Sequence, residues 1–333
     1  MKYLWIFIIA VAFYSCQSDP LKVNVSEIKV NTSFYRIDSI LYGHNPGVVH
    51  NKLQAMYPKH KSFLDAYAQD ILQLGGVGSH AMEKNLQLFL NDTVYSQVGD
   101  TIIKRFADFN SIKEKFTQGL KHYKYYFPNK EIPAVYAYPS GFNQSLVVAD
   151  DFLGVGLDKY LGRDCVFYKY LGLPQFKIQN MYPMRMVAEA FYAMAVTQYP
   201  FNDKNDNLLA NMIQEGKLIY FTEAMLPEIS DSVIIGYSQK QLEWSNENEA
   251  AMWTYLIEQK LLYTSERLEI RKYINDAPFT TPFTNESPGR TGVWLGWQIV
   301  HSYMKNNEEV SLGELMRMND AQAILSHSGY FPE

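Results

Sequence analysis

The spacing of apolar residues changes character twice along this chain. In KSFLDAYAQDILQLGG (61–76), Phe63, Tyr67 and Ile71 recur every four residues before Gly75-Gly76, which predicts an amphipathic helix with a glycine stop. SIKEKFTQGLKHYKYYFP (111–128) places Ile112, Phe116, Leu120 and Tyr123 on one stripe. It opens with a capping-box pair, Ser111 and Glu114, and closes at Pro128. The period then shortens. IPAVYAYP (132–139) and QSLVVAD (144–150) are β-rich runs flanking Ser140-Gly141-Phe142-Asn143, a hairpin signal. DDFLGVGLDKYLG (150–162) reads as a glycine-punctuated loop or short helix. From residue 182 onward the helical period returns, over 184–198, 205–225, 239–262 (capping box Ser238 and Gln241), 265–275, 290–305 and 311–326 (capping box Ser311 and Glu314). The expected fold is α+β and mostly α-helical, with one small antiparallel sheet and a large helical part. No Pro/Gly/Ser-rich linker divides residues 31–333, which read as a single domain.

The N-terminus has a different pattern. MKYLWIFIIAVAFYSC carries one positive charge at Lys2 and an apolar run from Tyr3 to Tyr14, too short to span a bilayer. It fits a signal peptide over 1–15, and Ser15-Cys16 resembles a bacterial lipobox, with Cys16 as the lipidated first residue of the mature chain. Residues 16–30 then form the anchor and a polar tether, so the membrane is one expected partner. The second cysteine, Cys165, is left without a disulfide partner and is expected to be a buried, inert thiol.

A formal net charge of −5 gives no electrostatic footprint for nucleic acid, which is excluded as a partner. Aromatic residues make up 15% of the chain, so interiors and clefts should be ring-rich, and a glycan-binding role stays open on that ground alone. Catalytic patterns are scarce. None of the seven histidines is followed by Glu, so there is no H-E-x-x-H, and His44, His50 and His60 are spaced for neither one helix face nor a zinc pair. DKNDNLLANMIQ (203–214) begins like a calcium loop but has Leu208 where glycine is needed and Gln214 where a bidentate Glu is needed, so it reads as a capped helix start. Gly154-x-Gly156 lacks the third glycine of a dinucleotide fingerprint, and Ser302-x-x-Lys305 lacks its companion motifs. No cofactor and no metal site is expected.

ESPGRTGVWLGWQIVHSYM (286–304) is the most unusual segment. Val293, Trp297, Val300 and Met304 make an apolar stripe, while Gly292 and Gly296 lie on another line that invites a close neighbour. Arg290 and Gln298 are polar exceptions on a helix that should be mostly buried, and each is expected to tie down a loop or a facing carboxylate.

This segment, with Arg290, Trp294, Trp297 and Gln298, resembles the C-terminal signature of the gliding-motility lipoprotein GldB family of Bacteroidetes. SGFNQS with VVADDFLGVGLDKYLG, ANMIQEGKLIYFTEAMLP, QLEWSNENEAAMW, SLGELM and the terminal SGYFPE agree with it in order, from roughly residue 30 to the end. That family is in turn similar to predicted zinc peptidases of the H-E-x-x-H kind, so the resemblance implies a zincin-like scaffold. Laid over Ala188-Glu189-Ala190-Phe191-Tyr192, the metal-binding motif keeps its glutamate at Glu189 but has Ala188 and Tyr192 for its two histidines. Glu215, in Glu215-Gly216-Lys217, matches the later third ligand. Ala has no lone pair, and a tyrosine of pKa about 10 is a poor zinc ligand near neutral pH. On this overlay Glu189 and Glu215 are remnants of a peptidase site without its metal; otherwise Glu189 is simply a polar helix residue. The resemblance implies a non-enzymatic, lipid-anchored envelope component of the gliding and type IX secretion-associated machinery. Its partners would be other envelope proteins, on the periplasmic face rather than the cell surface. The competing readings are a metallopeptidase with altered ligands and a glycan-binding envelope lipoprotein.

Overall fold

The computed structural model describes residues 20–333; the expected signal peptide, Cys16 and the start of the tether lie outside them. The chain opens with β1 (Phe34–Arg36) and helices α1 (Ile37–Leu41), α2 (Pro46–Met56), α3 (Lys61–Asp65), α4 (His80–Asn91), α5 (Thr93–Arg105) and α6 (Asn110–Tyr126). Strands β2 (Ala134–Tyr138), β3 (Leu146–Val148) and β4 (Phe152–Gly156) follow. Short helices α7 (Val166–Tyr170) and α8 (Gln175–Ile178) lead into α9 (Pro183–Gln198), α10 (Leu208–Met225) and α11 (Asp231–Ile235). The rest is α12 (Gln239–Glu247), α13 (Glu249–Glu258), α14 (Arg267–Ile274), α15 (Thr291–Asn306), α16 (Leu312–Arg317) and α17 (Ala321–Ser328). The class is α+β and mostly helical, as expected. No described helix is long and apolar enough to cross a membrane.

The sheet is mixed rather than antiparallel. Its order is β1-β2-β4-β3, with β2 parallel to both β1 and β4, and β3 antiparallel to β4. No hairpin joins 132–139 to 144–150, because Phe152–Gly156, expected as loop or helix, is a strand that slots between them. Gly154 hides that strand from a propensity reading. A Cβ there would lie 2.9 Å from a Tyr138 ring carbon, so the glycine makes room for a ring on the neighbouring strand. The real hairpin is β3–β4, and Ser140–Asn143 belongs to the loop crossing from β2 to β3. Asp158 organises that loop: its carboxylate accepts from Ser140 N (2.8 Å), Ser140 Oγ (3.0 Å) and Phe142 N (2.5 Å). Burial raises the Asp158 pKa, and these hydrogen bonds oppose the rise.

Both faces of the sheet are covered, in strict alternation. Val135, Ala137, Leu153 and Val155 enter the larger core with residues of α6, α9, α10 and α15. Tyr136, Tyr138 and Phe152 enter a smaller core with Ile37, Phe63, Tyr67 and Leu86.

Most predicted helices are present, with shifted ends. The stripe at 61–76 becomes α3 followed by a π-helical stretch, Ala66–Ile71, and Gln73 turns the chain at positive φ before the glycines are reached. The expected Ser111–Glu114 box does not form, since α6 starts at Asn110, whose N–H is taken by Asp108 Oδ1 at 2.9 Å. The boxes at Ser238–Gln241 and Ser311–Glu314 do form, but their helices break near Asn248 and between Met318 and Asp320. Asn207 caps α10, so 203–214 is a helix start.

The packing centre is the crossing of α10 and α15. A Cβ on Gly296 would sit 1.8 Å from the Met212 carbonyl oxygen, and one on Gly216 would sit 2.3 Å from the Gly296 carbonyl. The two helices meet backbone to backbone, as the glycine line in 286–304 implied.

Candidate functional site

Three elements bring the sequence-predicted residues together: α9, α10 and the N-terminal end of α15. On α9, Arg185, Glu189 and Tyr192 fall on one face at spacings of four and three. Glu189 accepts from the Tyr160 hydroxyl (2.6 Å) on one oxygen and from Arg185 Nε (3.1 Å) on the other. Its side chain is 27% exposed, so it reaches the surface. Tyr192 donates to Glu215 Oε2 at 2.6 Å. The two positions singled out by the overlay, the last of the motif and the later glutamate, are therefore in contact. Burial raises the Glu215 pKa, against the Tyr192 hydrogen bond and the nearby Arg290 charge. Burial, then the Glu215 charge, pushes the Tyr192 phenol far above its usual value.

Two arginines clamp the C-terminus of α11. Arg185 Nη1 donates to the carbonyls of Val233 (2.5 Å) and Ile234 (2.6 Å), and Arg290 Nη2 donates to the carbonyl of Ile235. These are the carbonyls a helix end leaves without partners, and a cation there also meets the negative end of the dipole. Each arginine also holds a carboxylate: Arg185 holds Glu189, and Arg290 Nε lies 3.3 Å from Asp276 Oδ1. Arg290 is at φ +60°, in the left-handed region, where it turns the 275–290 loop into α15. The Tyr237 hydroxyl fixes the same loop by donating to Gly289 O at 2.7 Å. Arg290 thus ties both a loop and a carboxylate, as its place in the sequence suggested.

The remaining signature residues divide by role. Trp297 is buried and its indole N–H donates to Glu223 Oε2 at 3.0 Å; the same oxygen is 2.8 Å from His301 Nε2. Trp294 is buried core, and its Nε1 has no hydrogen-bond partner among the described residues. Gln298 is half-buried and its side chain makes no hydrogen bond among the described residues, so the tie expected of it is absent. Lys217, two residues after Glu215, is buried and donates to Met318 O at 2.6 Å; burial pulls its pKa down to about 8. Cys165 is a free thiol, only partly buried, and burial raises its pKa.

The donor set does not suit a metal. Ala188 offers no ligand atom, the Tyr192 oxygen and one Glu215 oxygen bond each other, and Glu189 is held by Tyr160 and Arg185. Among the described residues no group of three or more His, Cys, Asp or Glu side chains is placed to hold a metal ion. The nearby open feature is backbone. β3 is an edge strand, and α9 packs beside it. Gly156 N bonds Ser145 O and Ala149 N bonds Phe152 O, so antiparallel alternation turns the polar groups of Leu146 and Val148 outward. Gln144 Nε2 already occupies Leu146 O at 2.9 Å.

A family model described as gliding motility protein GldB matches residues 18–332. The chain belongs to that family. No curated protein and no solved structure gives a match. The family is one of gliding motility-associated envelope lipoproteins, and the matched span contains every residue of the α9–α10–α15 site. Sequence reasoning missed Tyr160, Arg185, Asp158, Tyr237 and Asp276. For Asp158 and Tyr160 the signal was their place in the family piece GLDKYLG, and for Arg185 its i,i+4 spacing to Glu189; Tyr237 and Asp276 are recognised only through partners distant in the chain.

Proposed function

We propose that the protein is a lipid-anchored, non-catalytic assembly component of the gliding machinery, held by Cys16 on the periplasmic face of the envelope. Residues 31–333 act as one peptidase-like unit whose cleft binds rather than cleaves. The observation that carries this reading is the Tyr192–Glu215 hydrogen bond at 2.6 Å. It occupies the two positions a metal-dependent peptidase of this layout needs as ligands, next to an Ala188 that has none. What such a cleft retains is an edge strand, β3, beside α9. An extended segment of a partner protein adds to such an edge through main-chain hydrogen bonds, with Glu189 as the reachable charged residue.

The test is metal analysis of the protein purified from its membranes, beside Glu215→Gln. Trace zinc, the same in both, is expected. Stoichiometric zinc in the wild type that is lost in Glu215→Gln overturns the reading in favour of an altered-ligand peptidase. Cys16→Ser is expected to leave the membrane fraction, and unchanged fractionation removes the lipid anchor from the proposal.

A further inference from the structure

A concavity lies away from the α9–α10 face. It is a groove of about 420 Å³ between the C-terminal end of α13, helix α14 and the outer limb of the 275–290 loop. Cavities that hold small ligands run roughly 300–1,000 Å³. The loop itself is long and has no regular structure, a combination that is uncommon in compact folds and usually functional. Its base is fixed: Thr280 Oγ1 donates to Pro288 O at 2.8 Å, Ser287 Oγ accepts from Thr280 N at 3.1 Å, and Arg290 holds Asp276. Its limb, Thr281 and Pro282, is thereby presented as a stable wall.

The lining has two kinds of surface. Tyr255, Leu261 and Pro282 supply a ring and apolar area, the buried Tyr273 lies behind them, and Phe283 backs Tyr255 at 5.3 Å between ring centres. Gln259 and Thr281 are exposed, and their side chains make no hydrogen bond among the described residues. The only charges in the lining, Glu269 and Lys272, neutralise each other at 2.5 Å.

We infer that this groove is a binding site for a neutral saccharide. A sugar ring has an apolar C–H face that packs on tyrosine and proline. Its hydroxyls both donate and accept, matching Gln259, Thr281 and the outer atoms of the Glu269–Lys272 pair. A paired, net-neutral wall selects against ionic ligands, whose charge would be desolvated without a partner. A peptide fits less well, since two helices and a loop offer no free strand edge to pair with its backbone. The inference is independent of what the α9–α10 face does.

The test uses the full lipoprotein in a detergent without a sugar headgroup, with saturation-transfer NMR and titration against cellotetraose, maltotetraose and chitotetraose. At least one is expected to receive magnetisation. Gln259→Ala and Thr281→Ala, both at exposed positions and expected to melt with the wild type, should each weaken it about tenfold through a lost hydrogen bond to ligand. Tyr255→Ala should weaken it further. No transfer to any of the three sugars overturns the site, as does binding undiminished in all three variants. Displacement of the bound sugar by an uncharged, end-blocked octapeptide, or binding of the peptide alone, reassigns the groove to protein docking and overturns the saccharide reading.

Discussion

The α9–α10 face and the α13–α14 groove both carry tyrosines and charged side chains, and use them in opposite ways. On the face, the carboxylates, arginines and phenols meet one another. Glu189 is held by Tyr160 and Arg185, Glu215 by Tyr192, and both guanidiniums close on the end of α11. In the groove, one ion pair sits at the surface, while Gln259 and Thr281 face outward with no internal partner. Most polar groups inside a fold find an internal partner and become architecture; exposed ones such as Gln259 and Thr281 exchange water and can exchange it for a ligand. The unusual signature segment belongs to the first kind, and the unremarkable Gln259 to the second.

The largest effect should come from the spine behind the face. Gly296→Ala puts a methyl 1.8 Å from the Met212 carbonyl, and α10 and α15 must separate. A loss of about 3 kcal/mol or more is expected, read as a fall in melting temperature or failure to fold. A variant melting like the wild type would mean that the helices are free to part. Next is Arg290→Ala, which strips Asp276 and the Ile235 carbonyl of a buried cation and should cost about 2–3 kcal/mol by denaturant titration. Arg290→Lys should not rescue it, because an ammonium lacks the planar fork that reaches both partners. If Arg290→Ala is silent, the face is not the internal knot described.

Glu215 gives a pH signature. Its folded pKa is raised above 4.5 by burial, so the folded state holds its proton more tightly than the unfolded chain does. Its contribution favours folding at low pH and is lost as pH rises from about 4.5 through the raised value. Glu215→Gln removes that loss, so its stability should vary less with pH over this window; parallel profiles would deny the burial. Lys217 acts at the other end. Its pKa falls from 10.5 to about 8, so its contribution grows as pH rises between those values, and Lys217→Met should abolish that rise. The smallest effect belongs to the groove: Glu269→Gln opens a pair with side chains 35% and 40% exposed, and should change stability by a few tenths of a kcal/mol at most. A larger loss would turn the groove wall into architecture and erase the contrast.

What could be read in advance follows from range. α9, α10 and α15 were legible because their apolar stripes repeat locally, and the Gly292/Gly296 line foretold a close neighbour because glycine on a buried helix has few other uses. Ser238 and Ser311 announced helix starts through side chains acting within three residues. β4 was illegible because Gly154 and Gly156 lower strand propensity for reasons that lie on other elements, a Tyr138 ring and the Gln144 carbonyl. The hairpin failed with it, since strand order depends on which run fits between two others. At the site, Glu189, Glu215 and Arg290 could be named in advance. Their functions could not, because Tyr160, the α11 carbonyls and Asp276 are recruited by tertiary packing alone.

The contact between Gly216 and Gly296 has a mechanical consequence. Side chains between helices form a compliant layer in which rotamers shift and axes slide. At Gly216 and Gly296 that layer is missing, and there the α10 backbone, part of a helix of 18 residues and about 27 Å, bears directly on α15. At that point the two helices are expected to move together. Glu215 projects from one of them, and the 275–290 loop, which walls the groove, feeds directly into the other. A displacement imposed at either place is therefore expected to reach the other through this contact rather than be absorbed by shifting rotamers between them.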